Sequence, residues 1–405
     1  MRKFLLICIL SLTVLFANPP FIHCNNIYWT KEPEKSIATS SNITNQISLE
    51  SESAILIEQN SGKVLYEKNS HSILPPASVT KVMSILLIME ALDSNKIHLE
   101  DKVPCSQNAA NMGGSQIWLD TREELTVNEM LKAICVASAN DATVAMAEFL
   151  SGSEEAFVQK MNEKAKELGM NDTTFRNCHG LDTEGHVTSS YDIALMSREL
   201  LKNHPNITNY TTIYMDTLRD GKSELVNTNK LIRNYKGATG LKTGSTSLAL
   251  YNLSASATRD NLSLIAVIMR APTTALRFSE AQKLLDYGFS NYSYISLAKK
   301  NDFITKINVT KGVDNSVDLI FEDNSGALLS KGQQNNIEQS LSIPENIEAP
   351  ILKGQKIGEI KYIFGNETIG STNIVASSDV KKLDLSNMTE KLFFSWFSLL
   401  RQNNP

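Results

Sequence analysis

The chain has 405 residues, of which 42% are hydrophobic and 20% are charged, and its formal net charge is -5 at pH 7. This composition is sufficient for a full hydrophobic core, and the length suggests two or three domains. The mild negative charge argues against nucleic acid as a partner. The sequence has no low-complexity segment and no repeat at the periods typical of solenoid proteins.

The N-terminus is typical of an export signal. Arg2 and Lys3 precede an apolar run over residues 4–17, which is short for a membrane span. No clean small-x-small triplet follows the run, so the cleavage point stays open, and an uncleaved signal anchor is the alternative. We predict a signal peptide over residues 1–26, followed by a polar leader over residues 27–47.

The cysteines do not form a recognisable pattern. Of the five, Cys8 and Cys24 lie inside the predicted signal, and Cys105, Cys135 and Cys178 are scattered along the chain. Their spacing resembles neither a disulfide framework nor a metal site. We therefore expect buried free thiols, although export would permit a bridge, and we expect no metal ion.

The first large region alternates between strand and helix patterns. Two apolar runs in SAILIEQNSGKVLYEKN flank an Asn-Ser-Gly turn, which indicates a β-hairpin. Residues 78–92 form an apolar helical stretch typical of a buried central helix. Amphipathic helices follow, and strand patterns return after Gly240. Strands at both ends with helices between them predict an α/β (α+β) domain over residues 48–292, in which distant segments close an antiparallel sheet packed with helices.

The sequence changes character beyond residue 298. Short alternating strands, such as SVDLIFED and IGEIKYIF, are separated by Gly and Asn turns. They predict a small all-β, β-sandwich-like domain over residues 298–380. This stretch contains no residues arranged for catalysis, so a spacer or a binding module is the natural interpretation.

The tail over residues 386–402 has a helical period of large apolar residues. Met388, Leu392, Trp396 and Leu399 fall on one face of the predicted amphipathic helix. The segment is too short to cross a bilayer but is suited to lie in its surface. The alternative is a C-terminal helix docked on the protein's own core.

Ser78 and Lys81 stand three residues apart at the start of the predicted central helix. This spacing places both side chains on one face, a single turn apart. A serine hydroxyl is a weak nucleophile until a base takes its proton, and burial can lower the pKa of a lysine enough for it to be that base. Ser-x-x-Lys alone is weak evidence, because it occurs by chance and its lysine can be a solvated charge.

Two further elements strengthen this hypothesis. Ser138 and Asn140 interrupt an apolar helical stretch, either as capping residues or as a proton relay and an amide that clamps the substrate. Lys242, Thr243 and Gly244 begin a predicted strand. A lysine and a hydroxyl there can hold a carboxylate, and glycine permits close backbone approach. The alternative for Lys242 is an ordinary exposed strand lysine.

The ordered triple Ser-x-x-Lys, Ser-x-Asn and Lys-Thr-Gly is the signature of penicillin-binding proteins and class A β-lactamases. The sequence resembles the low-molecular-weight penicillin-binding proteins, the D-alanyl-D-alanine carboxypeptidases, over roughly residues 48–400. Stretches such as MGGSQIWLDTREELTVNEM and HGLDTEGHVTSSYDIA share in the resemblance. Within the family it is most similar to the type found in endospore-forming Firmicutes. One departure is Leu250, where relatives often carry glycine or a polar residue.

The resemblance implies a role for each motif residue. Ser78 would be the acylated nucleophile and Lys81 its general base. Ser138 and Asn140 would complete the proton network and position the peptide. The resemblance also implies the penicillin-binding, β-lactamase-like transpeptidase fold for this domain.

The remaining site residues would bind the substrate. Lys242 and Thr243, beside Gly244, would hold the terminal carboxylate of the substrate or of penicillin. Arg277 would assist them, with a surface arginine as the alternative. The backbone amides of Ser78 and Ser245 would form the oxyanion hole. His179 and His186 are interpreted as structural hydrogen-bonding residues, since the lysine already supplies the base.

The implied reaction removes the terminal D-alanine from cell-wall stem pentapeptides that end in D-Ala-D-Ala. It proceeds through an acyl-enzyme on Ser78 and needs no metal or cofactor. β-Lactam antibiotics would acylate the same serine as inhibitors. The expected location is the outer face of the cytoplasmic membrane, with the C-terminal helix as an anchor to the membrane surface and no nucleic acid as a partner.

Three other functions are alternatives to the carboxypeptidase. A class A β-lactamase would need a glutamate in a Glu-x-x-Leu-Asn setting after the Ser-x-Asn motif, and NDTTFRNCHGLD offers none. A D,D-endopeptidase of the same fold is not excluded by its active-site residues, although the C-terminal β-domain favours the carboxypeptidase. A non-catalytic penicillin-binding scaffold would be supported by an altered motif residue, and all motif residues are intact.

Overall fold

The computed structural model describes residues 47–333 and 336–385, together with Met388, Thr389 and Phe393. The predicted signal peptide lies outside these residues, and the predicted leader and C-terminal helix lie almost entirely outside them. None of the helices in this described part is long and apolar enough to span a bilayer.

The first region contains nine α-helices and nine strands among its described residues. In chain order they are β1 (Ser53–Glu58), β2 (Val64–Lys68), α1 (Lys81–Asp93), β3 (Lys102–Pro104), α2 (Gln107–Ala110), β4 (Glu124–Thr126), α3 (Val127–Lys132), α4 (Asn140–Ser151), α5 (Glu154–Glu167), α6 (Ser190–Asn203), α7 (Thr208–Thr211), β5 (Met215–Leu218), β6 (Ser223–Val226), α8 (Leu231–Asn234), β7 (Ala238–Thr246), β8 (Leu250–Arg259), β9 (Leu262–Ala271) and α9 (Thr274–Asn291).

A five-stranded antiparallel sheet forms the centre of this region, with the strand order β2-β1-β9-β8-β7. Of these strands, β1 comes first in the sequence and pairs with β9, which comes last, so that Ser53 lies opposite Met269. The predicted antiparallel sheet, closed by segments distant in sequence, is therefore confirmed. β7 lies at one edge of the sheet, where its outer side is available to a ligand.

Both faces of the sheet are covered by helices. Strand β1 is buried along its whole length because its side chains alternate between two cores. Ile55 and Ile57 face the core that contains α1 and α4, whereas Ala54 and Leu56 face the core that contains α9. Helix α1 is apolar and buried on nearly all sides, as the sequence predicted.

The C-terminal region is all-β in its described residues. Its strands are β10 (Tyr292–Ala298), β11 (Phe303–Thr310), β12 (Ser316–Phe321), β13 (Ser325–Ser330), β14 (Ile337–Ser342), β15 (Asn346–Glu348), β16 (Lys356–Phe364) and β17 (Glu367–Ala376). Six of them form a sheet in the order β14-β16-β17-β12-β11-β15, and β10 pairs with β13. A separate apolar core, which includes Leu319, Tyr362 and Ile374, lies within it.

Candidate active site

The turn that precedes α1 carries Ser78. A 3₁₀ turn over Ala77–Thr80 runs directly into the helix, so that Lys81 follows one turn later. The Nζ atom of Lys81 lies 3.0 Å from Ser78 Oγ, 2.6 Å from Asn140 Oδ1 and 2.6 Å from the His179 carbonyl oxygen. Ser78 is partly exposed and Lys81 is fully buried.

These distances orient the lysine as a base. The Asn140 Nδ2 atom donates to the Gly113 carbonyl at 2.6 Å, and a carbonyl can only accept, so the Oδ1 atom faces Lys81. A neutral amine has two N–H groups and one lone pair. The two acceptors, Asn140 Oδ1 and His179 O, take both N–H groups, which leaves the lone pair for the Ser78 hydroxyl proton.

Burial also favours the neutral form of this amine. Desolvation, followed by repulsion from the charge of Lys242, holds the pKa of Lys81 well below its ordinary value. The buried carboxylate of Asp141 opposes this effect in part. A base with a lowered pKa is present in its active form near neutral pH.

The Ser-x-Asn motif lies where two helical segments meet. A π-helical turn over Ala133–Ala137 ends at Ser138, which has a left-handed backbone with φ of 63°. Helix α4 then begins at Asn140. The break turns the Ser138 hydroxyl toward Lys242, whose Nζ atom donates to it at 2.8 Å. The interruption noted in the sequence is therefore a π-helical turn followed by a left-handed residue. Such bulges are frequent at functional sites.

Lys242 and Thr243 lie on the edge strand β7. Lys242 is buried, and desolvation is the main reason that its pKa falls to about 7. Its Nζ atom also donates to the Thr243 carbonyl at 3.0 Å. The Thr243 hydroxyl donates to Thr228 Oγ1 at 2.7 Å, which orients the Thr243 O–H bond. An ammonium group and hydroxyls are the kinds of donor that recognise a carboxylate.

Gly244 brings β7 against the nucleophile turn. A Cβ atom on Gly244 would lie 2.9 Å from Pro76 O and 2.9 Å from the backbone nitrogens of Ser78 and Val79. Any side chain here would push the strand away from the turn. Ser245 is the next residue of the strand, so its backbone amide follows directly after this contact with the nucleophile turn.

Arg277 is a buried residue of α9, with 7% of its surface exposed. Its Nη1 atom donates to the carbonyls of Gly244 and Asn252, at 3.2 and 3.3 Å. Its Nε atom is buried without a partner among the described residues. Arg277 therefore lies behind the Lys-Thr-Gly strand, where its charge helps to lower the pKa of Lys242.

The loop that follows α5 completes the site through its backbone. The His179 carbonyl accepts from Lys81, and its ring Nδ1 accepts from the Leu181 amide at 3.1 Å. A Cβ atom on Gly180 would lie 2.0 Å from the Ala77 carbonyl oxygen, so only glycine fits there. Burial lowers the pKa of His179 to about 3, which keeps the ring neutral.

Sequence reasoning missed several of these contributions. Thr228, Gly113 and the His179 carbonyl lie far in sequence from the residues they contact, and backbone groups leave no residue signature. The only sequence feature that could have indicated Gly113 and His179 as parts of the site is the family resemblance of the stretches MGGSQIW and HGLDTEGH. By contrast, the structure brings together all the side chains of the three motifs, along with Arg277.

Two protein-family models match the chain. The family model for D-alanyl-D-alanine carboxypeptidase matches residues 39–273, and the model for the C-terminal domain of penicillin-binding protein 5 matches residues 292–382.

Two curated relatives align over most of the chain. D-alanyl-D-alanine carboxypeptidase DacF of Bacillus subtilis is 47% identical over 87% of this chain and 92% of its own. DacC of Escherichia coli is 32% identical over 87% of this chain and 91% of its own.

Solved structures show the same likeness. Penicillin-binding protein 5 of Haemophilus influenzae has a TM-score of 0.68 and 32% identity, covering 83% of this chain and 98% of its own. Penicillin-binding protein D2 of Listeria monocytogenes, in an ampicillin-bound form, has a TM-score of 0.55 and 31% identity, covering 60% of this chain and 99% of its own. The chain belongs to the D-alanyl-D-alanine carboxypeptidase family.

Proposed function

We propose that this protein is a serine-type D-Ala-D-Ala carboxypeptidase that works through an acyl-enzyme on Ser78. One observation carries the assignment of residues: the Nζ atom of Lys81 is desolvated and lies 3.0 Å from Ser78 Oγ. The two N–H groups of this buried amine already have acceptors, so its lone pair can take the proton of the neighbouring serine hydroxyl. A serine in this setting is an activated nucleophile.

In the first step, Ser78 Oγ attacks the carbonyl carbon of the bond between the last two D-alanines. The lone pair of Lys81 takes the hydroxyl proton, and the amides of Ser78 and Ser245 stabilise the oxyanion. The C–N bond then breaks as the proton taken by Lys81 passes to the leaving nitrogen, so that D-alanine leaves with a neutral amine and Lys81 is neutral again. Ser138, which accepts from Lys242, is the hydroxyl proposed to relay this proton.

In the second step, water hydrolyses the ester. Lys81 takes a proton from the water as its oxygen attacks the acyl carbon, and Ser78 is released with its hydroxyl restored. Lys242, Thr243 and Thr228 hold the terminal carboxylate of the substrate during acylation, with Arg277 behind them. A β-lactam acylates Ser78 in the same way.

The test measures D-alanine release from a stem pentapeptide that ends in D-Ala-D-Ala. We expect release by the wild type and by Ser94→Ala, an exposed serine at the end of α1, but not by Ser78→Ala. No release by a correctly folded wild type would contradict the carboxypeptidase. Cleavage of cross-linked peptides by that same protein would instead support an endopeptidase.

We also propose that the segment over residues 386–402 binds the membrane surface and keeps the catalytic domain on the outer face of the cytoplasmic membrane. The support is its amphipathic sequence pattern, with Trp396 and its apolar neighbours on one face. The test is flotation with liposomes of the full chain and of a chain that ends at Leu385. Equal flotation of the two proteins would contradict the proposal.

A further inference from the structure

One large aromatic side chain projects from the surface beside the catalytic cleft. Trp118 is 77% exposed, whereas its neighbours Ile117 and Leu119 are buried. Its backbone has a φ of 59°, in the left-handed region that bulky residues rarely adopt. Such a conformation persists only when the surroundings hold it, and it is found most often where a residue has a functional task.

The residue that holds this conformation is adjacent to the catalytic motif. Asp141 follows Asn140 and is fully buried. Its Oδ2 atom accepts from the amides of Ile117 and Leu119, both at 3.0 Å. The amides on either side of Trp118 are therefore fixed to the first turn of α4.

A second clamp comes from the β5–β6 hairpin. The Nη1 atom of Arg219 donates to the Ile117 carbonyl at 3.0 Å, and its Nη2 atom donates to the Trp118 carbonyl at 3.4 Å. A second hydrogen bond from Nη2, to Glu123 at 2.7 Å, fixes the guanidinium. The backbone of Trp118 is thus held from two sides while its indole ring stays in solvent.

The same loop forms one wall of the cleft. The Asn140 amide donates to the Ser115 carbonyl at 2.7 Å, and Asn140 Oδ1 lies 2.6 Å from Lys81 Nζ. Trp118 is three residues beyond Ser115, a distance of at most about 11 Å along the backbone. In a bound stem peptide the sugar-bearing end lies four residues from the scissile bond, which is about 13 Å in an extended chain. The two spans are of similar length, so the indole ring can meet the point where the peptide joins its sugar when the peptide lies along this wall.

We propose that Trp118 is a stacking platform for an amino-sugar ring of the glycan strand that carries the stem peptide. This inference rests on the proposed carboxypeptidase function and extends it to the part of the substrate that does not react. A rigid indole face offers a large apolar area to the C–H face of a sugar at little cost in conformational entropy. The exposed ion pair of Asp120 and Arg122, two residues further along the loop, provides polar groups for the hydroxyls and the acetamido group.

The test compares two substrates that share one stem pentapeptide, either free or joined to its disaccharide. Trp118→Gly removes the ring, and glycine adopts a φ of this sign freely, so the loop can keep its path. We expect Trp118→Gly to lower kcat/KM for the disaccharide-linked substrate by about tenfold. Its kcat/KM for the free peptide should stay within about twofold of the wild type. Trp118→Phe should retain most of the activity on both substrates.

Two controls separate stacking from damage to the loop. The rate of acylation by penicillin, which carries no sugar, should be the same in Trp118→Gly and the wild type. Phe303→Ala, which removes a 59% exposed ring on β11, should change neither substrate's kcat/KM. Equal losses on both substrates, or no loss on either, would overturn the sugar platform while leaving the carboxypeptidase intact. A wild type inactive on both substrates would overturn the proposed function itself, and this inference with it.

Discussion

The Nζ atom of Lys81 and the hydroxyl of Ser78 are 3.0 Å apart, and the other two neighbours of that amine are oxygen atoms that can only accept. We therefore expect Lys81→Met to lower the rate of Ser78 acylation by a fluorescent penicillin by roughly 10²–10⁴-fold, the usual contribution of a general base. Methionine has a similar shape and fills the buried site without a charge.

A loss through misfolding is separated from a loss of the base by thermal melting. Removing the buried amine relieves its desolvation penalty but leaves Asn140 Oδ1 and the His179 carbonyl without their donor, so we expect the melting temperature of Lys81→Met to fall only modestly. A folded Lys81→Met protein that acylates at the rate of the wild type would show that another group is the base.

Lys242 should set the alkaline limb of the pH profile. Its ammonium group binds the substrate carboxylate in the charged form, and burial lowers its pKa to about 7. Lys81, whose pKa is also lowered by burial, must be neutral, so its limb rises with pH. We expect a bell-shaped profile of kcat/KM for D-alanine release that falls above about pH 7.

The variant Lys242→Arg distinguishes the two lysines. A guanidinium keeps its charge to much higher pH than an ammonium group, so the falling limb should move to higher pH even if the maximum rate drops. The rising limb, assigned to Lys81, should move much less. A falling limb that stays in place in Lys242→Arg would assign it to a different group.

The contact between Gly244 and the nucleophile turn predicts a strong effect of one methyl group. In Gly244→Ala the new Cβ would meet three backbone atoms at 2.9 Å, so β7 must move away from Ser78. We expect penicillin acylation to fall at least about 100-fold, since displacement of reacting groups by about 1 Å has that effect.

Gly113→Ala is the matched control for this substitution. Gly113 lies in the wall of the same cleft and its carbonyl accepts from Asn140, but a Cβ there would have no atom within 4 Å. Its acylation rate should stay within about threefold of the wild type, well under 1 kcal/mol. Similar losses in both variants would mean that close packing at Gly244 is not the cause.

The sequence predicted more of the fold than of the detailed site. The strand and helix order, the central buried helix and the antiparallel sheet followed from periodicity, which reports burial directly. The two-stranded pairs β3–β4 and β5–β6 were missed, because strands of three or four residues are too short to show a period. Arg219, at the tip of β5–β6, clamps a loop about a hundred residues earlier, and no local pattern indicates such a contact.

The candidate site also contains features that could be predicted from the sequence and features that could not. Ser78 and Lys81 could be paired from the sequence because one helical turn separates them. The left-handed backbone of Ser138 could not be predicted, since the conformation depends on the π-helical turn before it and on Lys242 beyond it. Leu250, noted in the sequence as a departure from the family pattern, has a φ of 53°, a backbone conformation that glycine adopts without strain and leucine rarely adopts.

His186 should make the stability of the protein sensitive to acid. Its Nδ1 atom accepts from the Arg176 amide at 2.8 Å, so its Nε2–H group donates to Thr80 Oγ1 at 2.8 Å. The Thr80 hydroxyl donates in turn to the Ala77 carbonyl, in the turn that carries Ser78. Protonation of Nδ1 would break the first of these bonds, and burial lowers the pKa of His186 to about 4.

The direction of this pH dependence follows from the pKa of His186 in the folded and in the unfolded protein. The unfolded chain binds the proton near the ordinary histidine pKa of about 6.5, before the folded protein does. The stability contribution is therefore complete above that pH and is lost as the pH falls toward about 4. By pH 5 the loss from His186 should amount to about 2 kcal/mol.

Urea unfolding of the wild type and His186→Gln at pH 7.5 and pH 5 provides the measurement. We expect the wild type to be the more stable protein at pH 7.5 and its advantage to shrink by about 2 kcal/mol at pH 5, because glutamine does not titrate. Ser94→Ala, an exposed substitution that involves no titratable group, should show a nearly constant difference from the wild type across the same range. A His186→Gln difference that is also independent of pH would mean that His186 does not couple folding to acid, and its link to Thr80 would then be a packing contact alone.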